Sequence, residues 1–193
     1  MDYPLVLENV LPGNLFVSIQ DDLKYWENIN KSYKNSDNDT SDTFLGRENI
    51  DELVFREAQT IIKYKLQKHF EYHLESDRVM LNAAFPNTKG SAFHRDDTEE
   101  CYLTFVLYSN LNWNTQWGGE TIMYNGESYE YVPYIPNTGC AFPAHWEHYG
   151  ASPNAHTSSL RTSIAFMFKV CYNNPITPNT LWATLTLTAI SSS

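Results

Sequence analysis

The fold and the chemistry of this chain are best examined starting from one stretch, Phe93-His94-Arg95-Asp96-Asp97. If the stretch is extended, His94 and Asp96 point to the same side of the backbone, because side chains alternate along a strand. An imidazole and a carboxylate on one face can supply two ligands to a metal ion. The same pair also arises often by chance, so it needs support from elsewhere in the chain.

The sequence around this stretch is typical of β-structure. After Ser76, short runs of apolar and β-branched residues alternate with turn-forming residues. Asn125-Gly126 lies between two such runs and predicts a two-residue hairpin. The predicted strands cover residues 78–85, 100–109, 121–124, 128–132, 139–142 and 160–170, and a further strand is predicted at 181–189.

Two helical segments precede the strands. Apolar residues spaced by three and four (Ile19, Leu23, Trp26, Ile29 and Tyr33) predict a first helix. A second helix is predicted at 48–74, after an acidic stretch at 35–43 that lacks the glycine and closing glutamate of a calcium loop and is interpreted as a linker. Helices followed by many short strands favour an α+β fold in which the helices pack outside a β-sandwich or open barrel.

Composition limits the range of functions. The 193 residues fit a single domain, and 23 acidic against 13 basic residues give a net charge of −10. Nucleic acid is therefore not expected as a partner, because its phosphates would be repelled. No stretch has the length and hydropathy of a membrane span, and neither a secretory signal nor a disulfide framework is evident, so a cytoplasmic location is expected.

A third candidate ligand follows the predicted strand at 139–142. His148 lies 148 − 96 = 52 residues beyond Asp96, which is far enough for the chain to cross a barrel and return. Two histidines and one carboxylate form a facial triad that leaves three positions open on octahedral iron(II). Asp97 is an alternative carboxylate, but strand alternation would turn it away from His94.

Arg161 and Ser163 open the most apolar predicted strand and share one of its faces. A guanidinium with a neighbouring hydroxyl is well suited to bind a carboxylate. On position alone, an exposed arginine or one paired with an acidic residue of the protein is an equally good interpretation.

One more motif, Trp117-Gly118-Gly119-Glu120-Thr121, completes an ordered series. The series runs from His94-Arg95-Asp96 through the apolar strand at 102–108, this glycine motif, Phe142-Pro143 with His148, and Arg161-Thr162-Ser163. It resembles the prolyl 4-hydroxylase-like branch of the 2-oxoglutarate/iron(II) oxygenases, and is most similar to small bacterial and phage members. The resemblance covers roughly residues 78–170.

The resemblance implies a double-stranded β-helix, or jelly roll, with N-terminal helices packed on one sheet. In a single domain of 1–193, residues 1–76 would form the helical support, 77–171 the oxygenase core, and 172–193 a tail with an extra strand. The implied reaction is hydroxylation of a C–H bond with succinate and CO2 as co-products. Peptidyl proline is the leading substrate by analogy, and a small metabolite is the alternative.

The resemblance also implies roles for individual residues. His94, Asp96 and His148 would bind Fe²⁺, while Arg161 would hold the far carboxylate of 2-oxoglutarate with Ser163 as a helper. The other residues implied to touch the co-substrate are Asn82 and Tyr102, and L-ascorbate is a candidate additional cofactor. Relatives commonly have Gly-Asp after Phe-Pro, whereas this chain has Ala144-His145, which makes His145 a rival of His148 as the distal ligand.

Two functions from other classes fit the same residues. A cupin-like jelly roll could bind a metal or ligand without catalysis. A zinc hydrolase could use the same ligands, and it would need a general base such as Glu147 or Glu99 near the metal.

Overall fold

Two antiparallel sheets form the body of the protein. The structure is a computed structural model that describes residues 4–29, 44–47, 52–88 and 91–175. The major sheet has six strands in the order β1-β7-β4-β9-β3-β2, and the minor sheet has three in the order β6-β5-β8. In chain order the elements are β1 (Leu5–Leu7), α1 (Gly13–Ile29), β2 (Phe44–Arg47), α2 (Leu53–Phe70), β3 (Tyr72–Ala84), β4 (Tyr102–Tyr108), β5 (Thr121–Tyr124), β6 (Tyr129–Val132), β7 (Gly139–Pro143), β8 (Glu147–Gly150) and β9 (Arg161–Pro175).

Strand alternation divides the major sheet into two faces. On β9, Ile164, Phe166 and Phe168 belong to a hydrophobic cluster with residues of α1 and α2. Ala165, between them, belongs to a second cluster with Met123 and Val132 of the minor sheet. The helices therefore cover one face of the major sheet and the minor sheet covers the other. This is the α+β arrangement predicted from the sequence.

The second helix is shorter than predicted. It ends at Phe70 instead of residue 74, because Glu71 takes a left-handed conformation (φ +59°) and its N–H caps the helix by donating to the Gln67 carbonyl. The chain then enters β3, whose first residues pair with β9. Pairing with a distant strand overrides the helical periodicity of these residues, which a local pattern cannot reveal.

The segment 1–76, predicted as the helical support, contains short strands beside its helices. β1 pairs with β7 and β2 pairs with β3, so two short strands form the edges of the major sheet. Three- and four-residue strands are too short for a period to be recognised in the sequence. The predicted strand at 181–189 and the acidic linker at 35–43 lie outside the described residues.

Strands β4 to β7 agree with the predictions to within two residues, whereas β3 begins at Tyr72 instead of 78 and β9 extends to Pro175 instead of 170. One strand and one connection differ more. β8 was not predicted as a strand, although it contains His148. The β5–β6 connection is a four-residue loop at 125–128, not a two-residue hairpin, because the Asn125 side chain accepts hydrogen bonds from the N–H groups of both Glu127 and Ser128 at 2.8 Å.

Gly139 offers a test of the packing between β7 and β4. A Cβ atom at this position would collide with the buried ring of Phe105 and lie 2.6 Å from the Val106 carbonyl oxygen. We expect Gly139→Ala to lower the free energy of unfolding by about 1–3 kcal/mol, measured by urea denaturation. Gly13→Ala is the control, since a Cβ at that position would meet no atom within 4 Å. Equal midpoints for the two variants would contradict this packing.

Candidate metal centre

Two neighbouring side chains of one segment, His94 and Asp96, meet His148 from a distant strand. The ligand atoms of His94, Asp96 and His148 all lie within 4.8 Å of one another. Asp96 Oδ1 is 3.6 Å from His94 Nε2, and Asp96 Oδ2 is 3.5 Å from His148 Nε2. Two imidazole nitrogens and one carboxylate in this arrangement can hold a divalent transition metal and leave part of its coordination sphere open.

Backbone hydrogen bonds bring the two histidines together. The His94 N–H donates to the His148 carbonyl at 3.0 Å, and the His148 N–H donates to the His94 carbonyl at 2.9 Å. This is an isolated bridge, and the chain bends directly after it, where the Asp96 N–H donates to the Ala144 carbonyl at 3.1 Å. The stretch is thus extended only locally. The sequence predicted that strand alternation would bring Asp96 to the side of His94, whereas the bend after His94 does so.

Both histidines have the tautomer that a metal requires. His94 Nδ1 lies 2.9 Å from the Ala92 carbonyl oxygen, and His148 Nδ1 lies 3.0 Å from the Trp146 carbonyl oxygen. A carbonyl can only accept, so each Nδ1 carries the proton and each neutral ring presents an unprotonated Nε2 to the centre. Hydrogen bonds of this kind fix both the tautomer and the ring orientation of metal-binding histidines.

Two further residues hold Asp96. The buried Thr104 hydroxyl donates to Asp96 Oδ2 at 2.7 Å. Arg78 donates from Nη2 to the Asp96 backbone carbonyl at 2.6 Å. Arg78 lies where the β3–β9 register shifts between Ser76 and Val79, and such an irregularity can redirect a side chain toward a site.

The surroundings of Asp96 keep its carboxylate ionised. Burial opposes ionisation of Asp96, but hydrogen bonds from His94 and Thr104 and the charge of His148 outweigh it and lower the pKa of Asp96 to about 2. Burial lowers the pKa of His148. Burial acts the same way on His94, but its hydrogen bonds to Asp96 and Ala92 outweigh that effect and raise its pKa. A proton on His94 is therefore the main competitor of a metal near neutral pH.

Neither rival ligand joins the centre. Among the described residues, the metal-binding cluster comprises His94, Asp96 and His148 alone. Asp97 instead accepts a hydrogen bond from the Glu99 N–H at 3.0 Å. His145 lies in the turn between β7 and β8, and its Nδ1 is buried without a hydrogen-bond partner.

Arg161 lies in a second polar region of the same interior. It is 3% exposed, and its guanidinium donates to the Gly119 carbonyl (2.7 Å), the Ser163 hydroxyl (2.9 Å) and the Thr121 hydroxyl (3.3 Å). A Cβ at Gly150 would lie 2.9 Å from its Nη1, so a glycine is needed beneath it. The guanidinium group is therefore held in place on several sides.

Aromatic rings complete the surroundings of Arg161. Its Cζ lies 5.9 Å from the ring centroid of Tyr108 and 5.4 Å from that of Tyr134. In the described part of the chain, no carboxylate lies within ion-pair distance of this guanidinium. A buried cation that has hydrogen bonds but no counter-ion is a suitable binding site for an anionic ligand. The alternative of an exposed arginine or one paired with an acid is thus not what is observed.

The two remaining predicted contacts lie at different ends of the interior. Asn82 is half-buried on β3 and pairs with Ser163, next to Arg161. Tyr102 is the first residue of β4 and pairs with Lys169, whereas Tyr108, beside the guanidinium, is the last. Asn82 is therefore adjacent to the arginine, and Tyr102 is not. A contact of either residue with a co-substrate stays a prediction.

Sequence reasoning missed the residues that hold the ligands and the arginine. Thr104 and Tyr108 are polar residues in the otherwise apolar strand β4, and a buried hydroxyl there needs a partner. The need for a partner could have indicated that these two hydroxyl groups support the site. Tyr134 follows β6 in a loop, and nothing in the sequence indicated its role. The Gly118-Gly119 motif was recognised only as a member of the ordered series, whereas the Gly119 carbonyl accepts a hydrogen bond from Arg161.

The comparisons with known proteins agree with the fold. No family model matches the chain, and no curated protein matches it. Among solved structures, a prolyl hydroxylase from Trichoplax adhaerens, in complex with a hypoxia inducible factor peptide fragment, is similar at 16% identity and TM-score 0.67, over 86% of this chain and 82% of that one.

Two other solved structures are also similar to the chain. The non-heme alpha-ketoglutarate-dependent epimerase SnoN of nogalamycin biosynthesis is 14% identical (TM-score 0.69, 86% of this chain and 77% of that one). HygX from Streptomyces hygroscopicus, with nickel and 2-oxoglutarate bound, is 9% identical (TM-score 0.61, 90% and 84%). At these identities the likeness concerns the fold, and it confirms the predicted double-stranded β-helix.

The hydroxyl of Thr104 should contribute to metal affinity. Thr104→Val keeps the shape of the side chain but removes the donor to Asp96, so we expect Co²⁺ to bind about 10-fold or more weakly, as measured by titration of its absorption bands. Thr104→Ser keeps the hydroxyl and should bind nearly as the unmodified protein does. Equal losses in both variants would instead assign the effect to packing.

Metal affinity should also depend on pH through His94. Protonation of this histidine competes with the metal, so affinity falls as pH falls below its pKa, by about tenfold per pH unit for one proton. Because that pKa is raised above 6.5, we expect Ni²⁺ affinity to go on rising above pH 6.5 in calorimetric titrations. An affinity that is already constant from pH 6 upward would contradict this.

Proposed function

We propose that the chain is a 2-oxoglutarate- and Fe(II)-dependent oxygenase that hydroxylates a C–H bond. The observation that carries the proposal is the buried Arg161 guanidinium, which has no carboxylate partner among the described residues and lies in the same interior as the metal centre. A metal triad alone would support only metal binding. A cation placed for a second, anionic molecule adds a co-substrate site.

The residues present fit both groups. The Nε2 atoms of His94 and His148 and the Asp96 carboxylate would hold Fe²⁺, and Arg161 with Ser163 would hold the far carboxylate of 2-oxoglutarate. Bound iron and 2-oxoglutarate supply the oxidative chemistry, in which O2, 2-oxoglutarate and the substrate C–H group give succinate, CO2 and a C–OH group. L-ascorbate is proposed as an auxiliary reductant that keeps the iron in the Fe(II) state.

The protein's own contribution is positioning and protection. The carbonyl groups of Ala92 and Trp146 hold the Nδ1–H groups of the two imidazoles, so that each ring, when neutral, offers Nε2 as its ligand atom, and Thr104 fixes the carboxylate between them. Tyr108 and Tyr134 exclude water around the guanidinium, which strengthens its interaction with a carboxylate. His94 is 47% exposed as a side chain, whereas His148 is 6% exposed, so a substrate would reach the metal from the His94 side.

Peptidyl proline remains the leading substrate by analogy, and a small metabolite the alternative. A zinc hydrolase is not favoured by any specific contact. Glu147 is exposed and pairs with Arg95 at 3.3 Å, and Glu99 accepts a hydrogen bond from Cys101 at 3.3 Å. Neither carboxylate belongs to the ligand cluster of the described residues, where a general base would be needed.

The function can be tested without a known substrate. Under anaerobic conditions, Fe(II) with 2-oxoglutarate should give a weak visible charge-transfer band, and with O2 the protein should slowly form succinate in the absence of substrate. Asp96→Ala should abolish both signals. A wild-type protein with neither signal would rule out the oxygenase, and would leave a binding jelly roll as the alternative.

Arg161→Gln separates the co-substrate site from the metal site. Loss of one partner of a buried charged pair costs ~2 kcal/mol or more, so we expect 2-oxoglutarate to bind about 30-fold more weakly. Co²⁺ affinity should be unchanged, because Arg161 contacts none of the three metal ligands in the described structure. Arg56→Gln, which removes an exposed arginine of α2, is the control. Unaltered 2-oxoglutarate affinity in Arg161→Gln would refute the assignment.

A further inference from the structure

The outer face of the minor sheet is unusually aromatic. Its inward residues, such as Met123, Val132 and His148, are buried. Strand alternation turns the residues between them outward. The outward set is Ile122 and Tyr124 of β5, Tyr129 and Tyr131 of β6, and Glu147 and Tyr149 of β8, and Phe93 lies against the ring of Tyr149.

These five rings form one continuous surface, which we call the aromatic face. The ring centroid of Phe93 lies 4.5 Å from that of Tyr149 and 6.1 Å from that of Tyr129, and Tyr129 lies 5.1 Å from Tyr124. Tyr131 lies close enough to Tyr149 to contribute, after burial and Glu120, to a raised pKa of that residue. Phe93, Tyr129 and Tyr131 are 45%, 55% and 64% exposed. Contiguous exposed aromatic surface of this kind marks a binding site more often than a random surface does.

The aromatic face is continuous with the metal centre. Phe93 directly precedes His94, and Tyr149 directly follows His148, so the same two backbone segments carry a metal ligand on one side and an aromatic ring on the other. A molecule that lies on this face therefore has one end at the exposed edge of His94. This position favours a substrate over an unrelated partner.

The charge of the region identifies the kind of molecule. Between Arg95 and Arg161 the sequence contains no lysine or arginine, whereas Glu120, Glu127, Glu130 and Glu147 lie in or beside the minor sheet. Arg95 is paired with Glu147. No lysine or arginine of the described residues pairs with Glu120, Glu127 or Glu130, so the region around the face is negatively charged, and tyrosine rings add attraction for ammonium and guanidinium groups.

The backbone span beneath the face suits an extended chain better than a compact metabolite. From His94 across β8 and β5 to β6 there are three inter-strand steps, or roughly 15 Å at about 4.8 Å each. An extended polypeptide covers that distance with about five residues at ~3.3 Å each. Aromatic rings, carboxylates and this length together fit a basic polypeptide better than a neutral or acidic ligand.

We propose that the aromatic face, formed by Phe93, Tyr124, Tyr129, Tyr131 and Tyr149, binds an extended basic segment of a polypeptide substrate and leads it to the metal centre. This assignment rests on the proposed oxygenase function for the identity of the ligand as a substrate. The binding itself does not require metal or 2-oxoglutarate. The two ideas can therefore fail separately.

The test uses three fluorescein-labelled 12-residue peptides, (Lys-Gly-Ala)4, (Gln-Gly-Ala)4 and (Glu-Gly-Ala)4, with binding to the full-length chain followed by fluorescence anisotropy. The lysine peptide should bind at least tenfold more tightly than the other two, and its affinity should fall as salt is added. The double variant Tyr129→Ser/Tyr131→Ser should lose at least tenfold in affinity although all four glutamates remain. Tyr64→Ser is the matched control, since it removes a tyrosine of 43% exposure from α2.

Each other outcome overturns the assignment. Equal binding by the double variant and the wild type would mean general attraction to an acidic surface. Equal binding of the lysine and glutamate peptides would contradict recognition of a basic segment by charge. Binding of cellohexaose that is lost in the double variant, without selective peptide binding, would assign the face to carbohydrate. Succinate formation by the wild type without substrate is measured separately, so its absence would refute the oxygenase and leave the peptide result standing.

Discussion

The reciprocal backbone hydrogen bonds between His94 and His148 are the constraint on which the functional architecture depends. They join the connection between β3 and β4 to the minor sheet and so bring together residues more than fifty positions apart. Each histidine also binds a carbonyl two residues earlier through Nδ1, so one local backbone arrangement sets both ring position and tautomer. The carboxylate of Asp96 then needs only the following bend and one hydroxyl from β4 to complete the cluster.

A second constraint is the burial of an arginine without a protein counter-ion. The guanidinium of Arg161 is satisfied by neutral acceptors and by two tyrosine rings, which stabilise it without neutralising its charge. Burying a charge is costly when it is unpaired, so an arrangement of this kind is best explained by a ligand that brings the negative charge. Gly119 and Gly150 are part of the same arrangement, because a Cβ atom at either position would press against the Arg161 side chain.

The minor sheet carries two kinds of surface on opposite faces. Its inner face supplies His148 and apolar packing against the major sheet, and its outer face displays tyrosines to solvent. The period of two along a strand makes this division possible within four-residue strands. It also places the ring of Tyr149 and the imidazole of its neighbour His148 on opposite sides of β8, so the aromatic face and the candidate metal centre share this strand. The chemistry and the candidate recognition surface are thereby linked through covalent neighbours.

The sequence by itself determined the α+β class, most strands, and the three metal-binding candidates, because alternation and residue chemistry are local properties. It left open whether Arg161 was buried, and whether His148 or His145 joined the cluster. Only the tertiary structure decided these points, since both depend on which backbone groups pair across the sheets. Strand β8 was missed for the same reason: four residues are too few to show a period, and the strand exists because it pairs with β5. Candidate metal ligands could thus be named from chemistry, whereas the residues that hold them, such as Thr104, became visible only once distant strands were placed side by side.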